Sequence, residues 1–407
     1  MKTKGHIDWL ILIPIIALML FSISFVYTAS ASNSAAKFGD AEHLFWNHSL
    51  RVFLGIGIIF VFARIDYHVY AKISKLLMVV GILSLIAVFF FGINVKGASR
   101  WLSLGPFSFQ PSELVKLVMV IHFSALLARK QAFIKDFERG FFPFIIWTVI
   151  ICFLIALQPN FSTMMVIFLI AVTMMFIGNT NLLHLGATFA VGLVAGIVFF
   201  ITADYRLNRL KSFLGFGEGT ENEAVSYQLN QSLIALGNGG IFGVGVGQNR
   251  QSYHFLPESY GDFIFAIIGE EYGFLGLVLV LGIFMVVFWR GMLVAKKAPD
   301  NFGYFLAIGV IITFAIYVFV NAGVNTGLLP TTGVPMPFVS YGGTAVLFYS
   351  AAIGILLNIS AQAGIYPRAD FAQPLEFNYN EEVENGESTV SGQVIYVQSV
   401  TGGAFVE

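Results

Sequence analysis

Residues 255–289 read FLPESYGDFIFAIIGEEYGFLGLVLVLGIFMVVFW, a polar segment that passes into a long apolar run at Asp262. A transmembrane helix needs about 20 predominantly apolar residues, so this run predicts a span near 262–289. A carboxylate at such a boundary costs roughly 2.5–3.5 kcal/mol if it moves into the bilayer centre. Two interpretations of Asp262 remain open here: an N-cap of the helix, where aspartate is favoured, and a functional group at the membrane edge.

The composition of the whole chain is that of a membrane protein. Of its 407 residues, 57% are hydrophobic and 11% are charged, and the mean hydropathy is +0.80. Soluble domains contain about 25% charged residues, so we expect a protein that crosses the membrane many times. The net charge of −1 offers no basic surface for nucleic acid. The single cysteine, Cys152, excludes a disulfide within one chain.

The same length criterion predicts an all-α polytopic fold with ten transmembrane helices. The spans lie near 8–28, 49–66, 74–94, 112–129, 142–158, 160–178, 182–202, 262–289, 302–323 and 340–362. Residues 1–365 would form this membrane domain, with a large extracytoplasmic loop at 203–261 between the seventh and eighth helices. The acidic segment 366–407 has no helical period, and we expect a disordered cytoplasmic tail.

The distribution of Lys and Arg predicts the orientation. With both termini in the cytoplasm, the short cytoplasmic connections contain most of these residues, as the positive-inside rule requires. They are Lys2, Lys4, Arg64, Lys72, Lys75, Arg129, Lys130, Lys135, Arg139, Arg290, Lys296 and Lys297. The long outer loop contains Arg206, Arg209, Lys211 and Arg250, and long loops are only weakly bound by this rule.

The third connection and the helix after it contain cations and an acid. The connection contains the cations Lys96 and Arg100, and Trp101 follows Arg100 directly. The next helix is predicted to begin at Pro111 or at Ser112, and serine is a favoured N-cap residue. Glu113 and Lys116 are three residues apart, so they share one helix face. A structural ion pair and a phosphate-binding cation set are both compatible with this pattern. Lys116 favours the second, because charges inside the membrane usually face a cavity.

The long outer loop ends in a glycine-rich segment, Gly237 to Gly247. Its spacing is not that of a nucleotide-binding GxGxxG motif, so we expect close backbone packing or a re-entrant segment. Gln231, just before it, could orient a polar ligand or cap a short helix. Glu270 and Glu271 lie about two turns beyond Asp262, as buried partners of other groups or as packing residues.

The spacing of the histidines and acids limits the reactions in which Asp262 could take part. The seven histidines show no HxxH or HExxH spacing and the chain contains no DxD motif, so a dedicated metal site is not predicted. One carboxylate could still share a Mg²⁺ or Mn²⁺ ion with a substrate phosphate. A lone carboxylate near outer cations suits general-base activation of a hydroxyl, with the cations stabilising a phosphate leaving group.

The last outer connection, from Asn325 to Thr344, contains prolines and glycines that impose an irregular backbone. Irregular backbone at membrane depth is tolerated only against protein or a wet cavity. We therefore expect residues 330–343 to form a cavity wall, with Ser340 as a candidate substrate-binding residue.

Taken in order, these segments resemble the SEDS family (shape, elongation, division and sporulation) over residues 8–365. The matching segments are 96–102, 109–116, 231–247, 255–266 with 269–271, and 330–343. The resemblance implies a ten-helix polymerase of lipid II, an undecaprenyl diphosphate that carries a disaccharide-pentapeptide. The segment 242–247, Phe-Gly-Val-Gly-Val-Gly, looks more like the division members of the family than the elongation members.

The resemblance also implies residue roles. Asp262 matches the family's essential aspartate, whereas Glu113, Lys116 and Gln231 match functional cavity positions. Arg100 and Trp101 match a conserved pair in the outer loop. Two positions depart from the family: Asn160 replaces a frequent acid, which leaves a hydrogen-bonding role, and Gly261 replaces a frequent Thr or Ser.

The function implied is septal peptidoglycan synthesis in the bacterial inner membrane, with Asp262 as the base. Arg100, Lys116, Arg206 and Arg209 would stabilise the leaving diphosphate, with Lys96 a weaker candidate. The implied partners are a class B penicillin-binding protein and other division proteins. The alternatives are an elongation-type polymerase, a lipid II flippase that forms no bond, and a scaffold that activates a partner synthase.

Overall fold

A computed structural model describes residues 5–95, 98–104, 107–201, 220–252, 255–257 and 259–364. Lys96, Arg206, Arg209 and the tail at 366–407 lie outside these residues. The described part contains eleven α-helices: α1 Trp9–Phe38, α2 His43–Arg64, α3 His68–Phe91, α4 Pro111–Lys130, α5 Phe142–Leu157, α6 Phe161–Ile177, α7 Leu182–Ile201, α8 Thr220–Gly239, α9 Ile264–Lys296, α10 Asn301–Asn325 and α11 Ala345–Gln362.

The helices confirm the predicted all-α multi-pass class. Eight described helices are long and apolar enough to cross a membrane, and α6 and the described part of α7 are shorter apolar helices. Together they provide a helix for each of the ten predicted spans. The remaining helix, α8, lies within the segment that was predicted as a loop.

Burial is concentrated in α4, α10 and α11. In the most apolar 18-residue stretch of each helix, 78% of the residues are buried in α4, 61% in α10 and 83% in α11, against 28% in α3. Helix α4 is nevertheless among the less apolar spans, because it contains Glu113 and Lys116. Its central position keeps these charges away from lipid, where they would be costly.

The third connection forms a small sheet rather than an irregular loop. Its strands are β1 Gly92–Val95, β2 Ala98–Leu104 and β3 Phe107–Phe109, paired antiparallel in the order β1-β2-β3. The amide of Gln110 then donates a hydrogen bond to Thr344 Oγ1 over 3.3 Å, which attaches the sheet to the start of α11. Helix α4 begins at Pro111 with Gln110 as its N-cap, so the prediction of Ser112 as the N-cap was wrong.

The two ends of the membrane domain meet. The Gly5 amide donates to the Ala361 carbonyl over 2.8 Å, and the Asp8 amide donates to Ser360 Oγ over 3.0 Å. We call this face of the helices the terminal end, and the opposite face, which contains the sheet, the cavity end. The first and last described residues of the membrane domain thus lie at the same face of the helices, as an even number of spans requires.

The glycine-rich segment packs against a break in α9. Gly273 has φ +68° within that helix, and the amides of Phe274 and Leu275 donate to the carbonyls of Gly240 and Ile241 over 2.9 and 3.2 Å. A Cβ atom at Gly243 would lie 2.1 Å from the Glu271 carbonyl oxygen. Close backbone packing, one of the two expected arrangements, is confirmed.

The side chains of Glu270 and Glu271 bind the end of this segment and the chain that follows it. Glu270 accepts hydrogen bonds from the Arg250 and Gln251 amides over 3.2 and 3.3 Å. Glu271 accepts one from the Gly247 amide over 3.0 Å. Both acids are therefore structural acceptors for the outer loop.

Candidate functional site

A polar cavity of about 570 Å³ opens at the cavity end of the helices. Four of the predicted site residues line it: Arg100, Trp101, Glu113 and Asp262. Other lining residues are Lys37, Arg51, Gln110, Asn160, Thr163, Tyr260, Gly261, Tyr317, Gly333 and Tyr341. The cavity thus combines two carboxylates with several cations and aromatic rings.

Asp262 lies just before α9 and does not cap it. The N-cap of this helix is Phe263, so the N-cap interpretation of Asp262 was wrong. The backbone carbonyl of Asp262 instead accepts hydrogen bonds from the side-chain amides of Asn321 and Asn325, over 2.9 and 3.0 Å. These two bonds fix the backbone from which the carboxylate extends into the cavity lining.

The last outer connection forms the wall opposite this carboxylate. Gly333 has φ +71°, and a Cβ atom built on it would lie 3.2 Å from Asp262 Oδ2. Asn321 also donates to the Val334 carbonyl over 2.8 Å, so one amide holds both walls. The predicted cavity wall at 330–343 is confirmed, with Gly333 leaving room for the acid.

Glu113 and Lys116 form a buried ion pair with a 2.7 Å distance between Oε1 and Nζ. The ammonium also donates to the Tyr317 hydroxyl and lies 4.2 Å from the centre of that ring. The Lys116 side chain is 3% exposed and is absent from the cavity lining. Glu113 is the member of the pair that lines the cavity. The enclosed ammonium of Lys116 fits the structural ion pair better than the phosphate-binding cation set.

Arg100 connects the sheet to the turn between α5 and α6. Its guanidinium donates to the carbonyl oxygens of Gln158 and Pro159. The next residue of that turn, Asn160, lines the cavity. Trp101 packs over Gly343, where a Cβ atom would lie 3.0 Å from the indole. Both predicted residues of β2 thus contribute to the cavity rim.

Gln231 and Ser340 are not part of the cavity lining. Ser340 is buried and its Oγ accepts a hydrogen bond from the Met336 amide over 2.8 Å, which stabilises a turn. Gln231 lies in α8, whose neighbouring Ser232 donates to the Asn325 carbonyl over 2.9 Å. Substrate binding by either residue stays a prediction.

The sequence analysis missed several residues that the fold brings to the site. Arg51 lies in the third turn of α2 and lines the cavity. A charge inside a span was a signal that could have identified it. Asn321 and Asn325, four residues apart in an apolar helix, gave a similar signal, because polar groups in spans usually face the protein interior.

The described residues contain no group of three or more His, Cys, Asp or Glu side chains that could hold a metal ion. Within the described part of the chain, Asp262 and Glu113 are the acids that line the cavity. A Mg²⁺ or Mn²⁺ ion bound here would therefore need further oxygen ligands, which a substrate diphosphate has.

Fold and site together define a multi-pass membrane protein with a polar cavity at one end. A family model described as "Cell cycle protein", which represents FtsW, RodA and SpoVE, matches residues 8–364. The chain belongs to this family, the SEDS family.

Similarity to known members extends over most of the chain. It is 39% identical to stage V sporulation protein E of Bacillus subtilis (strain 168), over 88% of this chain and 98% of that protein. It is 35% identical to the "probable peptidoglycan glycosyltransferase FtsW" of Trichlorobacter lovleyi, over 88% of this chain and 94% of that protein. A sporulation protein and a probable peptidoglycan glycosyltransferase thus match this chain at similar identity.

Solved structures share the fold. A chain from a structure described as "Structural coordination of polymerization and crosslinking by a peptidoglycan synthase complex" aligns with a TM-score of 0.70 at 23% identity, covering 88% of this chain and 98% of that one. The rod shape determining protein RodA of Thermus thermophilus aligns with a TM-score of 0.64 at 22% identity, covering 87% and 96%.

Proposed function

We propose that this protein is a peptidoglycan glycosyltransferase that polymerises lipid II, with Asp262 as its general base. The observation that carries the proposal is the position of Asp262 in a polar cavity beside Arg100 and Glu113. Membership of a family whose members include probable peptidoglycan glycosyltransferases supports it. The cavity lies at the end that the Lys and Arg distribution assigns to the outer face.

In the proposed reaction, Asp262 accepts the proton of the 4-hydroxyl group of the acceptor GlcNAc. The hydroxyl oxygen attacks the anomeric carbon of the donor chain, and a β-linkage forms with inversion. The bond from that carbon to the diphosphate oxygen breaks, and undecaprenyl diphosphate leaves with the bonding electrons. General-base catalysis of this kind contributes roughly 10²–10⁴-fold in rate.

The remaining residues of the site have supporting roles in this proposal. Arg100 at the rim and Arg206 and Arg209 of the outer loop supply positive charge near the leaving diphosphate. Lys116 acts indirectly, because its ammonium is enclosed and binds Glu113. A divalent cation would neutralise the diphosphate when bound, with the cavity acids as its protein ligands.

The proposed partner is a class B penicillin-binding protein that crosslinks the glycan strands. A structural neighbour from a complex that coordinates polymerization and crosslinking supports this. The proposed location is the inner membrane, with both termini in the cytoplasm. A role at the division septum is the proposed process, supported by the Phe242 to Gly247 segment and by the FtsW relatives.

The test is polymerisation of purified lipid II by the full-length protein with its cognate transpeptidase, with and without chelator. Asp262→Asn is expected to lower glycan synthesis roughly 10²–10⁴-fold without a change in thermal stability. Asp40→Asn is the matched control, because Asp40 is exposed in the connection between α1 and α2. Near-normal glycan chains from Asp262→Asn would overturn the base assignment.

The same experiment separates the proposal from a lipid flippase. A flippase would move lipid II across the membrane of a vesicle and would form no glycan product. Wild-type protein reconstituted in vesicles would then show lipid II translocation alone. Glycan product from wild-type protein, absent with Asp262→Asn, supports the polymerase.

A further inference from the structure

Arg51 is a cation of the cavity that the proposed mechanism does not use. It lies in α2, and its half-buried side chain lines the cavity. Its Nη1 atom is shielded from solvent and has no hydrogen-bond partner among the described residues. A buried donor without an acceptor is costly, so an anionic oxygen that reached this guanidinium would gain a strong hydrogen bond.

Neighbouring rings place Arg51 close to the Asp262 segment. The Arg51 guanidinium lies over the ring of Tyr341, 5.1 Å from its centre. The Tyr341 amide donates to the Tyr260 carbonyl over 2.8 Å, and the two rings meet edge to face at 5.6 Å. Because Tyr260 precedes Asp262 by two residues, this chain of contacts puts Arg51 and the proposed base on adjoining walls.

Other cations near the cavity are engaged differently. Lys116 is enclosed by Glu113 and Tyr317, and Arg100 donates to backbone carbonyls of the α5–α6 turn. Lys37 is exposed at the rim. A guanidinium is planar and weakly hydrated, and its N–H groups match two oxygens of a phosphate. Arg51 therefore has both the chemistry and the position for a phosphate ligand.

We infer that Arg51 binds the diphosphate of the polyprenyl-linked substrate, an inference that rests on the proposed function. Stacking on Tyr341 fixes the plane of the guanidinium, so its N–H edge can donate to the non-bridging phosphate oxygens. Arg51 then holds the diphosphate on the wall next to Asp262, and Arg100 chiefly holds the rim.

The experiment measures binding of undecaprenyl diphosphate and of uncharged undecaprenol to full-length protein in one detergent. The variants are Arg51→Gln, Arg51→Lys and, as matched control, Arg64→Gln, which removes the same charge from the exposed far end of α2. Arg51→Gln is expected to weaken undecaprenyl diphosphate binding roughly 10- to 100-fold, the size of a charge-assisted hydrogen bond. The affinity of Arg51→Lys for undecaprenyl diphosphate should lie between those of Arg51→Gln and wild type. The affinity for undecaprenol should be the same in all of these proteins.

Equal affinity of Arg51→Gln and wild type for undecaprenyl diphosphate would overturn the inference, as would an equal loss of undecaprenol binding. Thermal unfolding of each variant verifies the fold, and Arg51→Lys keeps the test valid if Arg51→Gln does not fold. Lipid II polymerisation by wild-type protein, measured in parallel, tests the proposed function separately. If wild-type protein synthesises glycan but diphosphate binding does not depend on Arg51, only this inference is wrong. If binding depends on Arg51 but wild-type protein forms no glycan, only the proposed function is wrong.

Discussion

At the scale of single residues, the position of Asp262 in the cavity depends on hydrogen bonds from neighbouring side chains. Asp262 extends from a backbone that two buried asparagine side chains fix, and its carboxylate faces a glycine that leaves space for it. Such positioning matters because misplacement of a catalytic group by about 1 Å can cost 10²-fold in rate. The acid is therefore better described as a positioned group than as a helix cap.

The Glu113–Lys116 pair allows a prediction that separates structure from function. Lys116→Met leaves a buried, unpaired carboxylate at Glu113, and loss of one partner of a buried pair costs about 3–5 kcal/mol. The double variant Glu113→Gln, Lys116→Met removes both charges and should recover most of the thermal stability. Thermal unfolding of the two variants and of wild-type protein gives the comparison.

Activity of the double variant then reports on Glu113 alone. Because Glu113 lines the cavity, we expect glycan synthesis to remain roughly 10- to 100-fold below wild type, even in well-folded protein. A double variant with both stability and activity restored would show that the pair is only structural.

At the scale of secondary-structure elements, the break in α9 is the point at which the glycine-rich segment is bound. Gly273 interrupts the helix, and the segment from Gly240 to Gly245 donates and accepts the backbone hydrogen bonds at this point. Irregular backbone at membrane depth is stable only where protein satisfies its polar groups. The glycine-rich segment and the broken helix therefore depend on each other.

Gly243→Ala tests this interdependence. The residue has φ +82°, and its new Cβ would lie 2.1 Å from the Glu271 carbonyl oxygen. Strain of the backbone alone costs about 1–2 kcal/mol, and displacement of Glu271 adds to it, so we expect a lower thermal midpoint. The matched control is Gly237→Ala, because a Cβ at Gly237 in α8 meets nothing within 4 Å. Equal stability of the two variants would contradict the close packing.

At the scale of the whole molecule, the terminal end is held by polar contacts between distant parts of the chain. Arg290 of α9 donates to the Asp8 carboxylate over 2.6 Å, and Asp8 also caps α1. Tyr67, the N-cap of α3, and His68, its first residue, bind Asp300 at the start of α10. These contacts join four segments of the chain at one face and complement the cavity at the other.

The acid at the start of α10 makes stability depend on pH. Partial burial raises the pKa of Asp300, but hydrogen bonds from Tyr67 and the Gly303 amide outweigh it, so this pKa lies below its usual value. The ionised Asp300 carboxylate therefore adds to the free energy of unfolding. This contribution is fully present at pH values above the pKa of Asp300 in the unfolded chain, and it is lost as the pH falls through its pKa in the folded protein. His68 Nε2 lies 2.9 Å from Asp300 Oδ2, and the other ring nitrogen of His68 lies 2.6 Å from Asp66 Oδ1.

We therefore expect Asp300→Asn to be less stable than wild type near neutral pH, by less than about 1 kcal/mol for so exposed a pair. The difference should narrow as pH falls below about 4, in thermal unfolding measured across the acid range. Asp136→Asn, which removes another capping acid that binds the Arg139 amide, is the control. A difference that does not vary with pH would contradict the linkage.

Much of the architecture was predictable because each membrane span must be apolar over its own length. The helices at the ten predicted positions and the candidate Asp262 follow from local composition and from charge. The cap at Ser112 was wrong because Pro111 takes the first helical position. The small sheet and α8 were missed because short polar segments lack a strong periodicity.

The amino-acid sequence by itself determined the class of protein, its family and four of the residues that line the cavity, because hydropathy and motifs are local properties. Only the tertiary structure decided that Lys116 is enclosed, that Asp262 does not cap α9 and that Arg51 belongs to the cavity. These outcomes depend on which side chains meet across helices distant in sequence. Since a buried charge or amide must find partners wherever the fold places them, no local pattern could specify these contacts.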